Sequence, residues 1–252
     1  MTKPAVFLIG ADKGGVGKTT VARTLLDYFG ANKIPVRAFD TESPGGTLKR
    51  FHPDLTDVVD ITAVPDQMKI FDTLASAQVK ATVIDVRAGL MSTTLQALSD
   101  IGFLEGVKKN KVTFAVFHVL GPSISSLDEI SRTTKFVGNA SYFLVKNFIN
   151  NTSFFEWDPA TYNSYFKQIK RAQEITIPHL MEMACERVEV ASIPFVTFID
   201  DKTGSGETGN YSFVLRGYVR HWLGQVWNQY DRVNLNELVA PPKESNVRQI
   251  AG

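Results

Sequence analysis

The segment 13–20 constrains this chain more than any other, because it places a glycine-rich loop between an apolar run and a helix start. It reads Lys-Gly-Gly-Val-Gly-Lys-Thr-Thr and directly follows the apolar run at 5–9. A strand, a glycine loop and a helix in this order form the setting of a phosphate-binding loop. Glycines let the backbone turn tightly and bring its N–H groups close to phosphate oxygens, and the helix dipole attracts the same anion.

The residue types in the loop suit a nucleoside triphosphate with its Mg²⁺ ion. The Lys18 ammonium supplies positive charge to the β- and γ-phosphates, and the Thr19 hydroxyl is a candidate Mg²⁺ ligand. The backbone N–H groups of the loop hold the phosphate oxygens. The residues that we expect to contact the nucleotide through this loop are Gly14, Gly15, Val16, Gly17, Lys18, Thr19 and Thr20.

Composition and cysteine content narrow the class of protein. With 252 residues, 44% of them hydrophobic, the chain suits one globular domain, which we place at 1–240, followed by a loose tail at 241–252. The single cysteine, Cys185, excludes an internal disulfide framework and a four-cysteine cluster within one chain. The net charge of +1 neither requires nor excludes nucleic acid as a ligand.

The chain carries no recognisable targeting signal. It passes from Met-Thr-Lys-Pro straight into a strand, which leaves no room for a signal peptide. No apolar run has the length of a transmembrane helix. We therefore expect a cytoplasmic protein that does not attach to a membrane.

Apolar runs of strand length alternate with segments of helical spacing almost throughout the chain. This alternation predicts parallel strands joined by right-handed crossovers. We expect an α/β fold of the P-loop NTPase type, with a doubly wound, mostly parallel sheet and helices on both faces. The predicted strands are 5–10, 35–40, 58–64, 81–86, 112–120, 141–146 and 188–193. The predicted helices are 18–30, 66–78, 92–104, 123–137, 159–172, 179–187 and 211–230.

Carboxylates end two of the predicted strands, at the edge of the sheet where the phosphate loop lies. Asp40 ends the second strand and can hold Mg²⁺ through water or orient an attacking water. Asp85 ends an apolar strand and is a candidate partner for a Mg²⁺-bound water, and Gly89 lets the following loop approach the γ-phosphate. For Arg87 the interpretations stay open: contact with phosphate, pairing with Glu42, or an exposed position in this loop.

Two departures from the ordinary phosphate loop carry a family resemblance. The ordinary loop, Gly-x-x-x-x-Gly-Lys-Thr, would have glycine at the position of Asp12, and here a second lysine, Lys13, precedes the glycine pair. The loop resembles the deviant loop of the ParA/MinD/nitrogenase-iron-protein class of ATPases. That resemblance implies ATP as the nucleotide. It also implies that Lys13 crosses a nucleotide-sandwich homodimer to the phosphates of the other subunit.

The resemblance also implies roles for residues at strand ends. The family carries Asp-x-Asp-Pro after its second strand, and its second aspartate positions the lytic water. Asp40 matches the first aspartate and Glu42 the second, with glutamate in place of aspartate and Ser43 moving the proline back by one position. We therefore expect slow hydrolysis. Asp85 begins an Asp-x-x-Gly pattern of the kind that the family shows at this strand.

On the base side of the nucleotide, the family reads adenine with an asparagine at the end of the sixth strand, which Asn147 matches. Asparagine suits this role because its amide both donates and accepts hydrogen bonds. The family has a proline after the last strand, where backbone groups line the base pocket, and Pro194 and Phe195 match that position if 188–193 is the last strand. Within the class, the chain looks closest to short ParA-like proteins of mobile elements, such as the TraL type of conjugal transfer.

The resemblance implies an ATP-dependent switch in DNA or plasmid partition, positioning or conjugal transfer. ATP closes a homodimer, a protein partner stimulates its ATPase, and nonspecific DNA is a candidate ligand. Contact with DNA needs a basic face, although a solvated helix face explains the basic residues equally well. The candidates are Lys167, Lys170 and Arg171, and separately Arg216, Arg220 and Arg232.

An ATP-dependent metabolic enzyme, similar to dethiobiotin synthetase or the cobyrinate amidoligases, is the alternative. Amide transfer needs a glutaminase domain with a cysteine nucleophile, and we expect Cys185 to be a buried structural cysteine within a helix. We expect no iron–sulfur cluster, because one cysteine per chain cannot supply the cysteine pairs of the nitrogenase iron protein. The C-terminal segment has too few apolar residues for a membrane-binding helix.

Overall fold

The computed structural model describes residues 3–75, 78–121, 123–149, 154, 156, 158–167 and 172–239. The strands in these residues are β1 Ala5–Gly10, β2 Val36–Asp40, β3 Thr56–Val58, β4 Ala81–Asp85, β5 Thr113–Leu120, β6 Ser141–Asn147 and β7 Gln173–Ile177. They form a seven-stranded sheet in the order β3-β2-β4-β1-β5-β6-β7, and every neighbouring pair is parallel.

Helices connect these strands. They are α1 Lys18–Ala31, α2 Thr47–Phe51, α3 Val64–Phe71, α4 Met91–Asp100, α5 Phe103–Lys108, α6 Ile124–Val137, α7 Pro159–Phe166, α8 Glu182–Ala191, α9 Phe195–Ile199 and α10 Phe213–Arg232, followed by a 3₁₀ turn at Leu235–Leu238. In the described part of the chain, no helix has both the length and the apolar character needed to cross a membrane.

The sheet is buried on both faces, which explains why its central strands are almost continuously apolar. Phe7 and Ile9 of β1 point into one core with side chains from α1, α8, α9 and α10. Val6 and Leu8 of the same strand point into a second core with side chains from α3 to α7. This arrangement confirms the predicted doubly wound α/β fold with helices on both faces.

Two predicted segments in the first half of the chain were wrong. The strand predicted at 58–64 shares only Val58 with the short strand β3, because Asp60 accepts hydrogen bonds from the backbone N–H and hydroxyl of Thr62 and forms a turn. Pro65 then occupies the first turn of α3, where proline is favoured. The single helix predicted at 92–104 is two helices, α4 and α5, separated by Gly102 at φ +76°.

The last predicted strand, 188–193, was also wrong, because most of it lies in α8. Ala184 and Val188 of that helix are buried one turn apart, whereas Val190 is 76% exposed, so the apolar residues follow helical rather than alternate spacing. The actual last strand is β7, in which Ile175 and Ile177 are buried alternately with more exposed neighbours. This period of two residues was present in the sequence and was missed.

The remaining predicted elements differ mainly at their ends. The helix predicted at 66–78 is the shorter α3, and the one predicted at 159–172 is the shorter α7. Residues 76 and 77 and 168–171 lie outside the described residues. The tail predicted at 241–252 also lies outside them, and the domain boundary at 240 stays a prediction.

Phe117 of β5 provides a test of this core. It is fully buried, and its ring centroid lies 4.7 Å from that of Phe143 and 6.4 Å from that of Phe7. We expect Phe117→Ala to lower the free energy of unfolding by about 3–5 kcal/mol, because it leaves a cavity in the aromatic cluster. Phe213, which is 77% exposed at the start of α10, provides the matched control.

Denaturant unfolding of both variants measures the contrast. Phe213→Ala should change the free energy of unfolding by no more than about 0.5 kcal/mol. Equal losses in the two variants would contradict the placement of Phe117 in the buried core.

Candidate nucleotide-binding site

The segment 13–20 has the predicted strand–loop–helix geometry. The loop leaves the end of β1 and enters α1 at Lys18, with Gly15 at φ +72° and Gly17 at φ +84°. Within the described residues, the backbone N–H groups of 14–17 donate to no protein acceptor. A run of unsatisfied N–H groups at a helix N-terminus is an anion-binding concavity.

Lys18 is held under this loop. Its side chain is mostly buried, and Nζ donates to the Lys13 carbonyl oxygen at 3.1 Å. Burial lowers the pKa of the Lys18 ammonium, while the nearby carboxylates of Asp85 and Glu129 raise it and so favour the charged form. The arrangement fixes a cation beside the free N–H groups, as phosphate binding requires.

Asp85 and Thr19 form the centre of the candidate Mg²⁺ site. The Thr19 hydroxyl and the buried Asp85 carboxyl line the same cavity over the loop. Burial raises the pKa of Asp85 to about 7, the Thr19 hydroxyl opposes that shift, and the Asp40 carboxylate adds to it. A cation bound here would favour the ionised form of Asp85.

These groups fit Mg²⁺ better than a metal held by protein ligands alone. In the part of the chain that the structure describes, no group of three histidine, cysteine or acidic residues is placed to hold a metal ion. Mg²⁺ usually keeps several waters and takes only one or two carboxylates together with substrate phosphates. A hydroxyl and a carboxylate beside a phosphate-binding loop match that pattern.

The Asp40 carboxylate accepts hydrogen bonds from backbone N–H groups, which the sequence did not reveal. Its Oδ1 accepts a hydrogen bond from the Glu42 N–H at 2.9 Å, and its Oδ2 accepts from the N–H groups of Leu48 at 2.6 Å and Lys49 at 3.3 Å. The carboxylate therefore shapes the loop between β2 and α2. Since both oxygens already accept hydrogen bonds, Asp40 suits contact with a metal through water, and its role as a metal residue stays a prediction.

Glu42 lies in the same loop and is exposed. Its Oε2 accepts a short hydrogen bond from the Thr47 hydroxyl, which restrains the carboxylate at the mouth of the cleft. The Arg87 side chain is also exposed, and no ion pair joins it to Glu42 among the described residues. The Arg87 backbone N–H donates to the Thr41 hydroxyl at 2.8 Å, which ties the loop after β4 to the loop after β2.

Thr20 lines two cavities beside the loop. One, of about 320 Å³, lies over the loop and is lined by Gly15, Gly17, Lys18, Thr19, Thr20, Asp40, Glu42, Asp85, Val86, Arg87 and Ala88. The other, of about 220 Å³, includes Thr20, Arg23, Asn147, Pro178, Cys185, Phe195 and Trp222 among its lining residues. The first cavity has the groups for phosphates and metal, and the second has the apolar and aromatic walls that suit a base.

Asn147 lies at the end of β6, between the loop and the second cavity. Its buried Nδ2 donates to the carbonyl oxygens of Val16 at 3.1 Å and Gly17 at 3.4 Å. The amide nitrogen therefore fastens the phosphate loop, which leaves the amide oxygen as the group suited to accept a hydrogen bond from a base. The sequence predicted a contact with adenine but not this contact with the loop.

The proline that follows the last strand is Pro178, not Pro194. Pro194 follows helix α8 and caps α9, because β7 ends at Ile177. Pro178 and Phe195 both line the second cavity. Because the last strand was predicted at the wrong place, the wrong proline was assigned to this position. Phe195 lines the cavity as predicted, although it does so from α9.

The second cavity also contains residues that the sequence did not single out. Arg23 of α1 is almost fully buried, with its guanidinium carbon 3.4 Å from the Phe51 ring centroid and 4.2 Å from that of Phe195. It pairs with Glu189 at 2.6 Å. Cys185 lies at the same cavity and is exposed, so the expectation of a buried cysteine was wrong: the buried stripe of α8 runs through Ala184 and Val188.

Some of the basic residues proposed to contact DNA donate hydrogen bonds to backbone carbonyl oxygens of the same chain. Arg216 and Arg220 lie one turn apart on α10, and both donate to the Ile199 carbonyl oxygen, at 3.2 and 3.5 Å. Arg232 donates to the Glu174 carbonyl oxygen at 2.6 Å. Lys167 is exposed, and Lys170 and Arg171 lie outside the described residues.

No protein-family model and no curated protein matches this sequence. Solved structures match across most of its length. The septum site-determining protein MinD complexed with Mg-ADP, from Pyrococcus horikoshii OT3, is 16% identical, with a TM-score of 0.54 over 94% of this chain and 98% of that one. A ParA family ATPase from Chlorobium tepidum TLS is 14% identical, with a TM-score of 0.52 over 87% of this chain and 98% of that one.

A third solved structure is a putative plasmid partition protein from Borrelia burgdorferi B31 bound to AMPPNP. It is 13% identical, with a TM-score of 0.52 over 92% of this chain and 100% of that one. At these identities the likeness establishes the fold, and the activity has to be argued from the site.

Gly17 provides a test of the loop geometry. A Cβ atom at this position would lie 2.1 Å from Asn147 Nδ2, and the backbone is at φ +84°. We expect Gly17→Ala to lower the free energy of unfolding by about 1–3 kcal/mol, because alanine strains a left-handed position and displaces the Asn147 side chain.

Thermal unfolding of Gly17→Ala and Gly30→Ala measures this effect. Gly30 lies in α1, where an added Cβ meets nothing within 4 Å, and alanine there should stabilise the helix by up to about 1 kcal/mol. A Gly17→Ala variant as stable as wild type would show that the loop does not adopt this conformation.

Proposed function

We propose that this chain, which has the ParA/MinD-type P-loop fold, is a Mg²⁺-dependent ATP hydrolase that acts as an ATP-dependent homodimeric switch. The observation that carries the proposal is the juxtaposition at the end of β1. Unsatisfied N–H groups, the Lys18 ammonium, Thr19 and Asp85 all face one cavity. A second cavity, of suitable size for a base, shares Thr20 with it.

The nucleotide would lie across both cavities. Its phosphates would accept hydrogen bonds from the backbone at 14–19 and pair with Lys18, which offsets their charge at close range. Bound Mg²⁺ supplies neutralisation of phosphate charge and polarises the phosphoryl oxygens. Thr19 and Asp85 would hold the ion, with Asp40 acting through water. The base would occupy the cavity beside Asn147 and Phe195.

Hydrolysis requires a group that orients water on the far side of the γ-phosphate. Glu42 is the proposed residue, because its carboxylate faces the phosphate cavity and, unlike that of Asp40, accepts no hydrogen bond from the backbone N–H groups of the described residues. Its exposure and its bond to Thr47, which holds the carboxylate at the mouth of the cleft, make its position less favourable for this task. We therefore propose slow turnover, which is what a switch needs.

The Lys13 side chain is exposed, although its carbonyl oxygen holds Lys18. An exposed ammonium at the rim of the phosphate loop is suited to reach the phosphates of a second copy. We propose that ATP closes a homodimer through Lys13, that a protein partner stimulates hydrolysis, and that nonspecific DNA is a candidate ligand. Partition, positioning and conjugal transfer, in the manner of TraL, remain the proposed processes, in the cytoplasm.

The metabolic-enzyme alternative receives little support from Cys185. Although the thiol is exposed at the second cavity, it lies in the middle of α8, and partial burial and the Glu189 carboxylate raise its pKa. A raised pKa reduces the thiolate that a nucleophile needs. Turnover of ATP that depends on a small-molecule acceptor would favour this alternative over the switch.

Lys18→Ala tests nucleotide binding. We expect Mg-ATP affinity to fall by about 10- to 100-fold or more, because a charged hydrogen-bond donor to the phosphates is worth roughly 1.5–3 kcal/mol. Calorimetric titration with ATP and ADP measures the loss. Lys80→Ala is the matched control. Lys80 is exposed and directly precedes β4, at the end of that strand away from Asp85, so the variant should bind ATP as wild type does. Tight ATP binding by Lys18→Ala would refute the phosphate-loop assignment.

Lys13→Ala tests the switch. If Lys13 acts only across the dimer, the variant should bind ATP within about threefold of wild type yet fail to dimerise, and its turnover should fall on the order of 100-fold or more, as for other charges supplied in trans. Lys13→Arg should also be poor, because a planar guanidinium does not replace a compact ammonium. Sedimentation with ATP measures the dimer, and an ATP-driven dimer of Lys13→Ala would rule out the proposed role.

A further inference from the structure

The first two residues of the phosphate loop are bound to a carboxylate outside it. The backbone N–H of Asp12 donates to Glu129 Oε2 at 2.9 Å, and that of Lys13 donates to Glu129 Oε1 at 3.1 Å. Glu129 lies on α6 and is buried. A carboxylate that accepts two successive N–H groups fixes the direction of the backbone between them, because both of its oxygens are engaged.

The Glu129 carboxylate is itself held in place from the sheet. His118 of β5 lies with Nε2 3.2 Å from Glu129 Oε2, and its Nδ1 lies 2.5 Å from the Tyr142 hydroxyl of β6. Because a carboxylate only accepts, Nε2 carries the proton, and in the neutral ring Nδ1 then accepts from the tyrosine. The fully buried imidazole thus connects two strands to the loop through Glu129.

Asp12 adds a second attachment on the opposite side. Its carboxylate accepts hydrogen bonds from the Ser92 hydroxyl at 2.7 Å and the Ser92 N–H at 3.3 Å, and its carbonyl oxygen accepts from the Gly89 N–H at 3.0 Å. This explains an aspartate where the ordinary loop has glycine. The side chain ties the loop to α4, and the backbone carbonyl ties it to the segment that follows Asp85.

The loop therefore has a fixed part and an open part. Residues 12 and 13 have their N–H groups paired with Glu129, whereas the N–H groups of 14–17 donate to no acceptor in the described chain. Lys13 stands at the junction, with a fixed backbone and an exposed side chain.

We propose that Glu129 is a positioning residue for Lys13: by fixing the Asp12–Lys13 backbone, it aims the Lys13 ammonium across the dimer. The inference rests on the proposed function, because it assigns Glu129 a part in closing the dimer. The charge of Lys18, which would bind the nucleotide of its own subunit, is supported more by Asp85 than by Glu129. Glu129 touches neither nucleotide nor metal in this scheme. Its main effect is on the direction of the residue that crosses the interface.

Glu129→Gln is the direct test. The amide keeps one acceptor and turns the other into a donor, so one of the two loop N–H groups faces an N–H₂ group. We expect the ATP-dependent dimer of this variant to be at least about tenfold weaker, while ATP affinity of the monomer stays within about threefold of wild type. Glu105→Gln, on the exposed face of α5, is the matched control and should leave both quantities unchanged.

Amide hydrogen exchange in the protein without nucleotide provides a second measurement, which reports directly whether Glu129 holds the two N–H groups. In wild type, we expect the N–H groups of Asp12 and Lys13 to exchange at least about 100-fold more slowly than those of Gly14 and Gly15. In Glu129→Gln, the first two should exchange at least about tenfold faster, with the β5 and β6 amides unchanged. The wild-type contrast tests the contact even if the variant does not fold.

The outcomes separate this inference from the proposed function. A wild-type protein that dimerises with ATP, together with a Glu129→Gln variant that dimerises equally well, would overturn the positioning role alone. Equal exchange of all four amides in wild type would overturn it as well. Absence of ATP binding or of an ATP-dependent dimer in wild type would overturn the proposed switch, and the positioning role with it.

Discussion

Parallel pairing of β1 with β4 and β5 brings the chemistry of this protein together. The register aligns Ile9 with Asp85 on one side and Gly10 with His118 on the other. Since all of these strands run the same way, their carboxyl ends meet at one edge, and each loop that leaves the edge enters the same crevice. The phosphate loop, the Asp85 carboxylate and the His118–Glu129 pair are neighbours for this reason, although they are distant in sequence.

Charge balance in that crevice depends on partners that approach from several elements. Lys18 from the start of α1, Asp85 from β4 and Glu129 from α6 are all buried, and each charge is stabilised by others of opposite sign. The pKa of Asp85 is raised because its burial and the neighbouring Asp40 carboxylate outweigh the opposing effects of Thr19 and Lys18. A cation in the cleft would reverse that balance, so metal binding and ionisation of Asp85 are coupled.

The loop segment itself combines fixed and open backbone. Asn147 and Glu129 hold its two sides through buried hydrogen bonds, and the intervening N–H groups remain open to an anion. Such an arrangement reduces the reorganisation that binding would otherwise require, because protein contacts hold the loop on both sides. The tie between Asp12 and Ser92 extends the same frame to α4.

The sequence by itself determined the α/β class, the phosphate loop and the strand-end carboxylates, because local spacing, glycine content and apolar runs report on neighbours along the chain. Only the tertiary structure decided the partners of those residues. The contact of Glu129 with the loop spans more than a hundred positions, and the commitment of Asp40 to backbone N–H groups depends on the path of one loop. The prediction of the last strand was wrong for a related reason. The valines at 188 and 190 alternate as in a strand when the segment is considered alone, but Ala184 and Val188 are buried together in the core, which stabilises a helix.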